Sequence, residues 1–253
     1  MRKFFFISIM LLALVRVAAQ NNKKVTIAVA ANMQYAMNAL KATFEQQTGI
    51  KVEVILGSSG KLTQQILEGA PYDVFISADT SYPQTLHRNK FGTVPPRVYA
   101  KGVLVLWTTT PGIVPSKDLK VLLTGNVKKI AIANPKTAPY GVAAEAILKH
   151  YNIYDKVKDK LVFGENITQT NQFISSQAAD IGFTAKSVVL SDEMKGKGRW
   201  IDLDINTYAP IEQAAVILKH GAETNKDASE KFYSYLYSKT AKDIFKQFGY
   251  IVN

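Results

Sequence analysis

Residues 25–49 read VTIAVAANMQYAMNALKATFEQQTG, and this stretch decides the fold class. It opens with a β-branched apolar run, Val25 to Val29, of the kind found in buried strands. Apolar side chains then recur every three or four residues, which predicts a helix over residues 33–47 that Gly49 is suited to end. The apolar face of this helix consists of Met33, Ala36, Met37, Leu40 and Phe44. A strand, a short turn and an amphipathic helix form the repeating unit of an α/β fold.

The same order of strand, polar turn and helix recurs along the rest of the chain. Further strands are predicted at 52–56, 74–77, 103–107, 130–133, 161–163, 181–183 and 214–218. Further helices are predicted at 61–68, 141–150, 168–177 and 226–248. This alternation favours a mainly parallel sheet with helices on its faces.

The predicted units fall into two series, because a new apolar strand starts after Tyr99-Ala100-Lys101 and the chain turns again near Tyr208-Ala209-Pro210. We therefore predict two lobes. The first comprises residues 24–100 plus 211–253, including the closing helix, and the second comprises residues 101–210. Two hinge crossovers would join them, a layout that traps a ligand between lobes.

The first 19 residues predict a cleaved signal peptide. Arg2 and Lys3 precede an apolar run that is too short to span a bilayer, and Val17-Ala18-Ala19 is a cleavage-site pattern, so the mature chain is expected to start near Gln20. The sequence contains no cysteine, which excludes disulfides, thiol catalysis and a lipid-modified cysteine anchor. We expect a soluble, untethered protein in the periplasm.

The charge balance favours anionic partners. The formal net charge is +11, and loss of Arg2, Lys3 and Arg16 with the signal peptide would leave +8. The lysines are spread along the chain with no basic tract or aromatic-interleaved motif, which argues against nucleic acid and for small anions.

Several strand–turn–helix junctions have the composition of an anion cradle. They lie at residues 30–33, 57–60 and 134–141, and a fourth turn at 164–169 could close the cradle. Helix N-termini offer unpaired N–H groups and the positive end of a dipole, so converging turns can bind an anion without a lysine or arginine. Alternatively, Asn32, Ser59 and Thr168 simply cap their helices.

Five blocks, in order, carry a family resemblance. They are Ala28–Asn32, Gly57–Gly60, Gly69–Asp79, Ala133-Asn134-Pro135 with Ala138–Gly141, and Gly164–Ile167. The chain resembles the periplasmic molybdate-binding proteins of ABC importers over nearly the whole mature length, and GAPYDVFISAD at 69–79 is the most diagnostic block. The resemblance implies a two-lobed α/β periplasmic-binding-protein fold of type II, with molybdate or tungstate in the interlobe cleft. It also implies a membrane permease as partner, no cofactor, and molybdenum bound only as its oxyanion.

The resemblance also implies which residues bind the oxyanion. Carried over by position, they are Asn32, Ser59, Tyr140 and Ile167, with Ala31 and Ser58 as neighbours. Asn32 would donate through its side-chain amide and Ser59 through its hydroxyl, whereas Tyr140 and Ile167 would act through their main chain. One branch of the family has serine where this chain has Asn32, and some members use a tyrosine hydroxyl where this chain continues Thr184-Ala185-Lys186-Ser187. That tyrosine donor is absent here.

Other ligands stay open at the level of sequence. Molybdate, tungstate and sulfate are fully deprotonated near neutral pH and suit a site of pure donors, whereas protonated phosphate gains from a carboxylate acceptor. We expect Asp73, Asp79 and Glu165 to be turned away from the anion, with Asp73 and Asp79 as caps or packing partners. A sulfate or phosphate receptor is the alternative to a molybdate receptor.

An enzyme or an iron(III) receptor is disfavoured. His87, His150 and His220 match no metal-binding spacing, and Gly57-Ser58-Ser59-Gly60 is not a nucleophile elbow. Tyr233 and Tyr237 share a helix face that is more typical of core or lobe surface than of an iron site. We predict a non-enzymatic monomer that closes around its ligand.

Overall fold

The computed structural model describes residues 24–252 and places ten strands there in two five-stranded sheets. The predicted signal peptide, residues 1–19, lies outside the described residues. The first sheet contains β1 (Lys24–Ala30), β2 (Lys51–Gly57), β3 (Val74–Ile76), β4 (Arg97–Gly102) and β10 (Ile211–Ile217). The second contains β5 (Leu104–Thr108), β6 (Ile130–Ala133), β7 (Leu161–Gly164), β8 (Ile181–Ala185) and β9 (Arg199–Asp202).

Helices connect the strands and cover both sheets. The α-helices are α1 (Gln34–Thr48), α2 (Ser59–Leu67), α3 (Ser81–Arg88), α4 (Pro139–His150), α5 (Tyr154–Val157), α6 (Ile167–Ser175), α7 (Lys186–Val189), α8 (Lys219–Thr224), α9 (Lys226–Tyr235) and α10 (Lys239–Gln247). Within the described residues, 3₁₀ turns lie at Ala31–Met33, Lys120–Leu123 and Lys158–Lys160.

Both sheets are mixed, and the two share one plan. The strand orders are β2-β1-β3-β10-β4 and β7-β6-β8-β5-β9. In each, three neighbouring strands are parallel, while the other two strands join by antiparallel pairing. Four strands of each sheet therefore run in one direction, as predicted, and the exceptions are β10 in the first sheet and β5 in the second. β5 and β10 each follow a crossover from the other sheet. A local strand–helix–strand unit therefore does not set their direction.

The opening stretch of sequence behaves as its pattern predicts. β1 is central and almost wholly buried, as expected of a strand covered on both faces. α1 buries Ala36, Met37, Leu40 and Phe44, and Gly49 ends it in the left-handed conformation at φ +70°. The Phe44 ring meets the Phe232 ring of α9 edge-on at 5.0 Å, so the C-terminal helices pack on the first sheet.

The chain passes between the sheets twice. β4 ends at Gly102 and β5 begins at Leu104, and the return runs through residues 203–210 between β9 and β10. Two close connections between two sheets form the hinge layout that the sequence predicts.

The closing helix differs from the prediction. A single helix over residues 226–248 was expected, but the structure has α9 and α10, with Leu236 to Ser238 between them. Ser238 caps α10, because its hydroxyl accepts a hydrogen bond from Ala241 N–H at 3.1 Å. Such a cap starts a new helix even inside a helical pattern.

Candidate anion-binding site

Four junctions meet at one small cavity between the two sheets. The cavity is small, with a volume of about 10 Å³, which is near the least space that holds one water-sized group. Its lining consists of Ala30, Ala31, Asn32, Gly57, Ser58, Ser59, Ala78, Ala138, Pro139, Tyr140, Asn166 and Ile167. All six residues singled out from the sequence are in this set. Four strand–helix junctions that are distant in sequence are thus brought together.

The first junction follows β1 and begins the 3₁₀ turn Ala31–Met33. Asn32 is 2% exposed, and its amide nitrogen donates to Gln213 Oε1 at 3.0 Å and to the Tyr250 hydroxyl at 3.2 Å. The main-chain carbonyl oxygen of Asn32 accepts hydrogen bonds from the hydroxyls of Ser187 at 2.8 Å and Tyr250 at 3.0 Å. Both side-chain amide hydrogens of Asn32 are therefore used within the protein, so the expectation that this amide donates to the ligand is wrong. The main-chain N–H groups of this turn remain as its donors toward the cavity.

The second junction joins β2 to α2. Ser58 caps the helix by accepting from Lys61 N–H at 3.4 Å. The Ser59 hydroxyl oxygen accepts from Ala78 N–H at 3.0 Å, and Ser59 is 1% exposed. Because a hydroxyl has one hydrogen to donate and two lone pairs, this bond leaves the Ser59 hydrogen available to a ligand in the cavity.

The third junction, at the start of α4, offers one backbone donor. Pro139 has no N–H, and the N–H groups of Gly141 and Val142 both donate to Ala138 O, at 2.9 and 3.2 Å. Tyr140 N–H is the remaining donor of this turn, and Tyr140 lines the cavity.

The fourth junction joins β7 to α6. Asn166 caps the helix, since its side-chain oxygen accepts from Gln169 N–H at 3.1 Å. Its carbonyl oxygen accepts from Thr170 N–H at 3.0 Å. The first N–H of the helix belongs to Ile167, which is 3% exposed and lines the cavity.

The capping alternative is wrong in its details for all three residues. Ser58 caps α2 in place of Ser59, Asn166 caps α6 in place of Thr168, and the turn and helix after Asn32 have no side-chain cap. The Thr168 hydroxyl instead donates to Gln34 Oε1 at 2.8 Å. The predicted helix starts were one to two residues too late, which moved each expected cap into the first turn.

Within the part of the chain that the structure describes, no charged side chain lines the cavity. The buried Asp73 carboxylate accepts from Thr26 N–H at 2.8 Å and also contacts Asn225 and His220. Asp79 accepts from the hydroxyls of Ser77 and Ser81 at 2.9 and 2.6 Å. Neither carboxylate faces the anion cavity, and Glu165 pairs with Lys61 at the exposed edge of the cleft. The expectation that all three acids are turned away is met.

Positive potential in the cavity comes from the backbone. The N-termini of α2, α4 and α6 converge there, and each contributes the positive end of a helix dipole together with free N–H groups. Burial raises the pKa of Tyr99 and of Tyr140 well above the ordinary value, and it also raises the pKa of Tyr250. These hydroxyls therefore stay neutral and place no negative charge beside the cavity.

The two sheets are in contact across the cleft. Gly60 N–H, in the first turn of α2, donates to Thr137 O at 2.9 Å, and the Tyr82 hydroxyl donates to Lys136 O at 3.4 Å. A Cβ at Gly60 would lie 2.7 Å from the Tyr82 hydroxyl oxygen and 3.0 Å from Thr137 Cα. This arrangement is a closed cleft, and its close approach depends on glycine at position 60.

Sequence reasoning missed the residues that support the first junction. Gln213, Tyr250 and Ser187 hold Asn32 in place but lie far from it in sequence. One signal was present, because Gln213 is a polar residue inside the apolar strand Ile211–Ile217 and is completely buried.

Within residues 24–252, no group of three or more acidic or histidine side chains could hold a metal ion. No helix in the same range is long and apolar enough to cross a bilayer.

Comparison with known proteins gives consistent matches. The family described as bacterial extracellular solute-binding protein matches residues 25–251. The chain is 39% identical over 230 residues to the molybdate-binding protein ModA of Azotobacter vinelandii, covering 90% of this chain and 89% of that protein. It is 38% identical to ModA of Rhodobacter capsulatus, covering 90% and 88%. The solved structure of the Azotobacter vinelandii periplasmic molybdate-binding protein has a TM-score of 0.85 at 36% identity, covering 90% of this chain and 99% of that one.

Proposed function

Because the chain belongs to the bacterial extracellular solute-binding proteins, we propose that its cleft captures molybdate, and also tungstate, for delivery to an ABC importer. The predicted type II fold is confirmed by the structural match, and the family is one of binding proteins rather than enzymes. The observation that carries the proposal is the convergence of four neutral turns on an uncharged cavity of small volume. No covalent step is involved.

The proposed ligand contacts are all hydrogen-bond donors. The Ser59 hydroxyl and the backbone N–H groups of Tyr140 and Ile167 are free of competing partners in their own turns. The backbone of Ala31 and Asn32 supplies the first turn, and Ser58 holds the second turn in place as its cap. Molybdenum would be held only through its oxygens, by these donors.

Donors without acceptors favour a fully deprotonated oxyanion. A protonated phosphate would leave its O–H without an acceptor, because the described acids Asp73, Asp79 and Glu165 lie outside the lining. Sulfate has the same charge as molybdate and differs in size, so it is the second candidate. The identity of 39% to a molybdate-binding protein places molybdate first.

We propose a transport cycle of two-state closure. Residues 24–100 plus 211–253 and residues 101–210 would move as lobes about the two crossovers, and an anion that touches both would stabilise the closed form by its differential affinity. The closed monomer would then dock on the membrane permease. The proposed location is the periplasm, after cleavage of the signal peptide at residues 1–19.

Calorimetry of the mature protein tests the function directly. Molybdate, tungstate, sulfate and phosphate are titrated at one pH and one salt concentration. We expect tight one-to-one binding of molybdate and tungstate, with much weaker sulfate and no phosphate binding. Tight sulfate binding with silent molybdate would replace the proposal by a sulfate receptor.

A further inference from the structure

Gln213 lies at the point where the two sheets and the cavity walls meet. It is the third residue of β10, the first strand after the return crossover, and it is 0% exposed. The pairing of β10 with β4 shifts register between Gln213 and Ala214. A bulge of this kind re-aims a side chain.

The two polar atoms of the Gln213 amide bond two residues of the cavity lining and one buried tyrosine outside it. Its oxygen accepts from the Asn32 amide at 3.0 Å and from the Tyr99 hydroxyl at 2.8 Å. Its nitrogen donates to the Tyr140 hydroxyl at 3.1 Å. Asn32 belongs to a wall built on the first sheet, and Tyr140 lies in the first turn of α4, which packs on the second.

Gly102, at the crossover from β4 to β5, leaves room for the hydrogen bond between Gln213 and Tyr140. A Cβ at Gly102 would lie 2.1 Å from the Tyr140 hydroxyl oxygen and 2.5 Å from Gln213 Nε2. Gly102 is the last residue of β4, directly before the passage to the second sheet. The hydrogen bond between Gln213 and Tyr140 thus lies against the hinge backbone, where any larger residue would separate its partners.

We propose that Gln213 is a positioning residue that couples the two walls of the anion cleft through Asn32 and Tyr140. The inference rests on the proposed oxyanion binding, since it concerns the same site. Gln213 does not line the cavity, so it would act through Asn32 and Tyr140. An amide can accept from one wall while it donates to the other, so its bonds form together only when the walls are close, and they add to the stability of the closed form.

The test is a double-mutant cycle on molybdate affinity. Gln213→Met keeps the length of the side chain and removes its hydrogen bonds, whereas Tyr140→Phe keeps the Tyr140 main-chain donor and removes the hydroxyl. We expect about a tenfold or greater loss of affinity for Gln213→Met and a smaller loss for Tyr140→Phe. The double variant should lose less than the product of the two single losses, because both remove one shared bond.

Ser229→Ala is the matched control. Ser229 is also 0% exposed, and its hydroxyl donates to Asn225 O at 2.8 Å, away from the cleft. It should lower the melting temperature but leave molybdate affinity unchanged. Circular dichroism must show that all variants are folded at the titration temperature.

Each outcome decides the matter. Wild-type affinity in either single variant, or losses that multiply independently in the double variant, would overturn the coupling role while the wild type still binds molybdate. Failure of the wild-type protein itself to bind an oxyanion would instead overturn the proposed function.

Discussion

At the scale of single residues, the direction of each hydrogen bond decides which groups remain for a ligand. Ser59 accepts from Ala78 N–H and so keeps its own hydrogen, whereas Asn32 donates both amide hydrogens to Gln213 and Tyr250. Two polar side chains of the cavity lining therefore differ, because the serine keeps a hydrogen for a ligand and the asparagine does not. The serine hydroxyl therefore keeps a hydrogen for the proposed ligand, and the asparagine side chain holds the turn.

Ser59→Ala is predicted to weaken molybdate binding by roughly 10- to 100-fold, the effect of one hydrogen bond to a charged group. The fold should persist with a modest loss of stability, because Ala78 N–H loses its acceptor. Calorimetry and thermal unfolding measure the two effects. Ser191→Ala, which removes another buried hydroxyl bonded within its own turn, should leave affinity unchanged. Equal affinity of Ser59→Ala and the wild type would remove Ser59 from the site.

The six residues proposed to bind the anion were predicted from the family resemblance of short turn motifs, and all six line the cavity. Ala31-Asn32, Ser58-Ser59, Tyr140 and Ile167 all follow strands, and the turns fall at one edge in the folded sheets. Gln213 could not be found in that way. Its contacts with Asn32 and Tyr140 span 181 and 73 residues of sequence, and no local pattern encodes them.

At the scale of elements, the helix starts determine the donors. α2, α4 and α6 each begin one or two residues before the predicted position, because Ser58, Ala138 and Asn166 end the preceding extended segment. The strand–helix alternation itself was predictable from apolar periodicity. The break between α9 and α10 was not, since a serine cap within a helical pattern gives a weak signal.

Gly60→Ala is predicted to lower molybdate affinity without lowering the stability of the ligand-free protein. Alanine is the better helix residue by roughly 0.5–1 kcal/mol, so the ligand-free protein with its cleft open should be as stable as the wild type or more stable. A Cβ would nevertheless meet the Tyr82 hydroxyl at 2.7 Å and Thr137 at 3.0 Å, which hinders closure. Molybdate affinity should therefore fall while the melting temperature of the ligand-free form does not.

The control for this variant is Gly125→Ala, where an added Cβ meets nothing within 4 Å. Its affinity should equal that of the wild type. Unchanged affinity in Gly60→Ala would mean that the contact between α2 and the Thr137 turn is dispensable for binding.

At the scale of the whole molecule, a ligand held by two sheets stabilises the chain by linkage. At a free molybdate concentration about 1,000 times Kd, the gain is about 4 kcal/mol. For a chain of this size, that corresponds to a rise in melting temperature of roughly 8–16 °C. Thermal unfolding with molybdate, compared with sodium chloride at equal ionic strength, measures it. An equal shift with chloride would contradict binding at a specific site.

Alkaline pH should destabilise the molecule through its buried tyrosines. Burial raises the folded-state pKa of Tyr99, Tyr140 and Tyr250 above the ordinary value of 10.0. A group whose pKa is higher in the folded state contributes stability below its unfolded pKa and loses that contribution as pH rises toward the folded value. Stability should therefore be insensitive to these groups up to about pH 9 and fall steeply above pH 10.

Denaturant unfolding of the ligand-free protein at several pH values from 8 to 11 measures this dependence. Tyr140→Phe should reduce the slope above pH 10, because one fewer buried phenol then ionises on unfolding. If Tyr140→Phe leaves the slope of stability against pH unchanged above pH 10, the fold does not hold the Tyr140 phenol neutral. Gln213 would then donate its hydrogen bond to an ionised phenol at high pH.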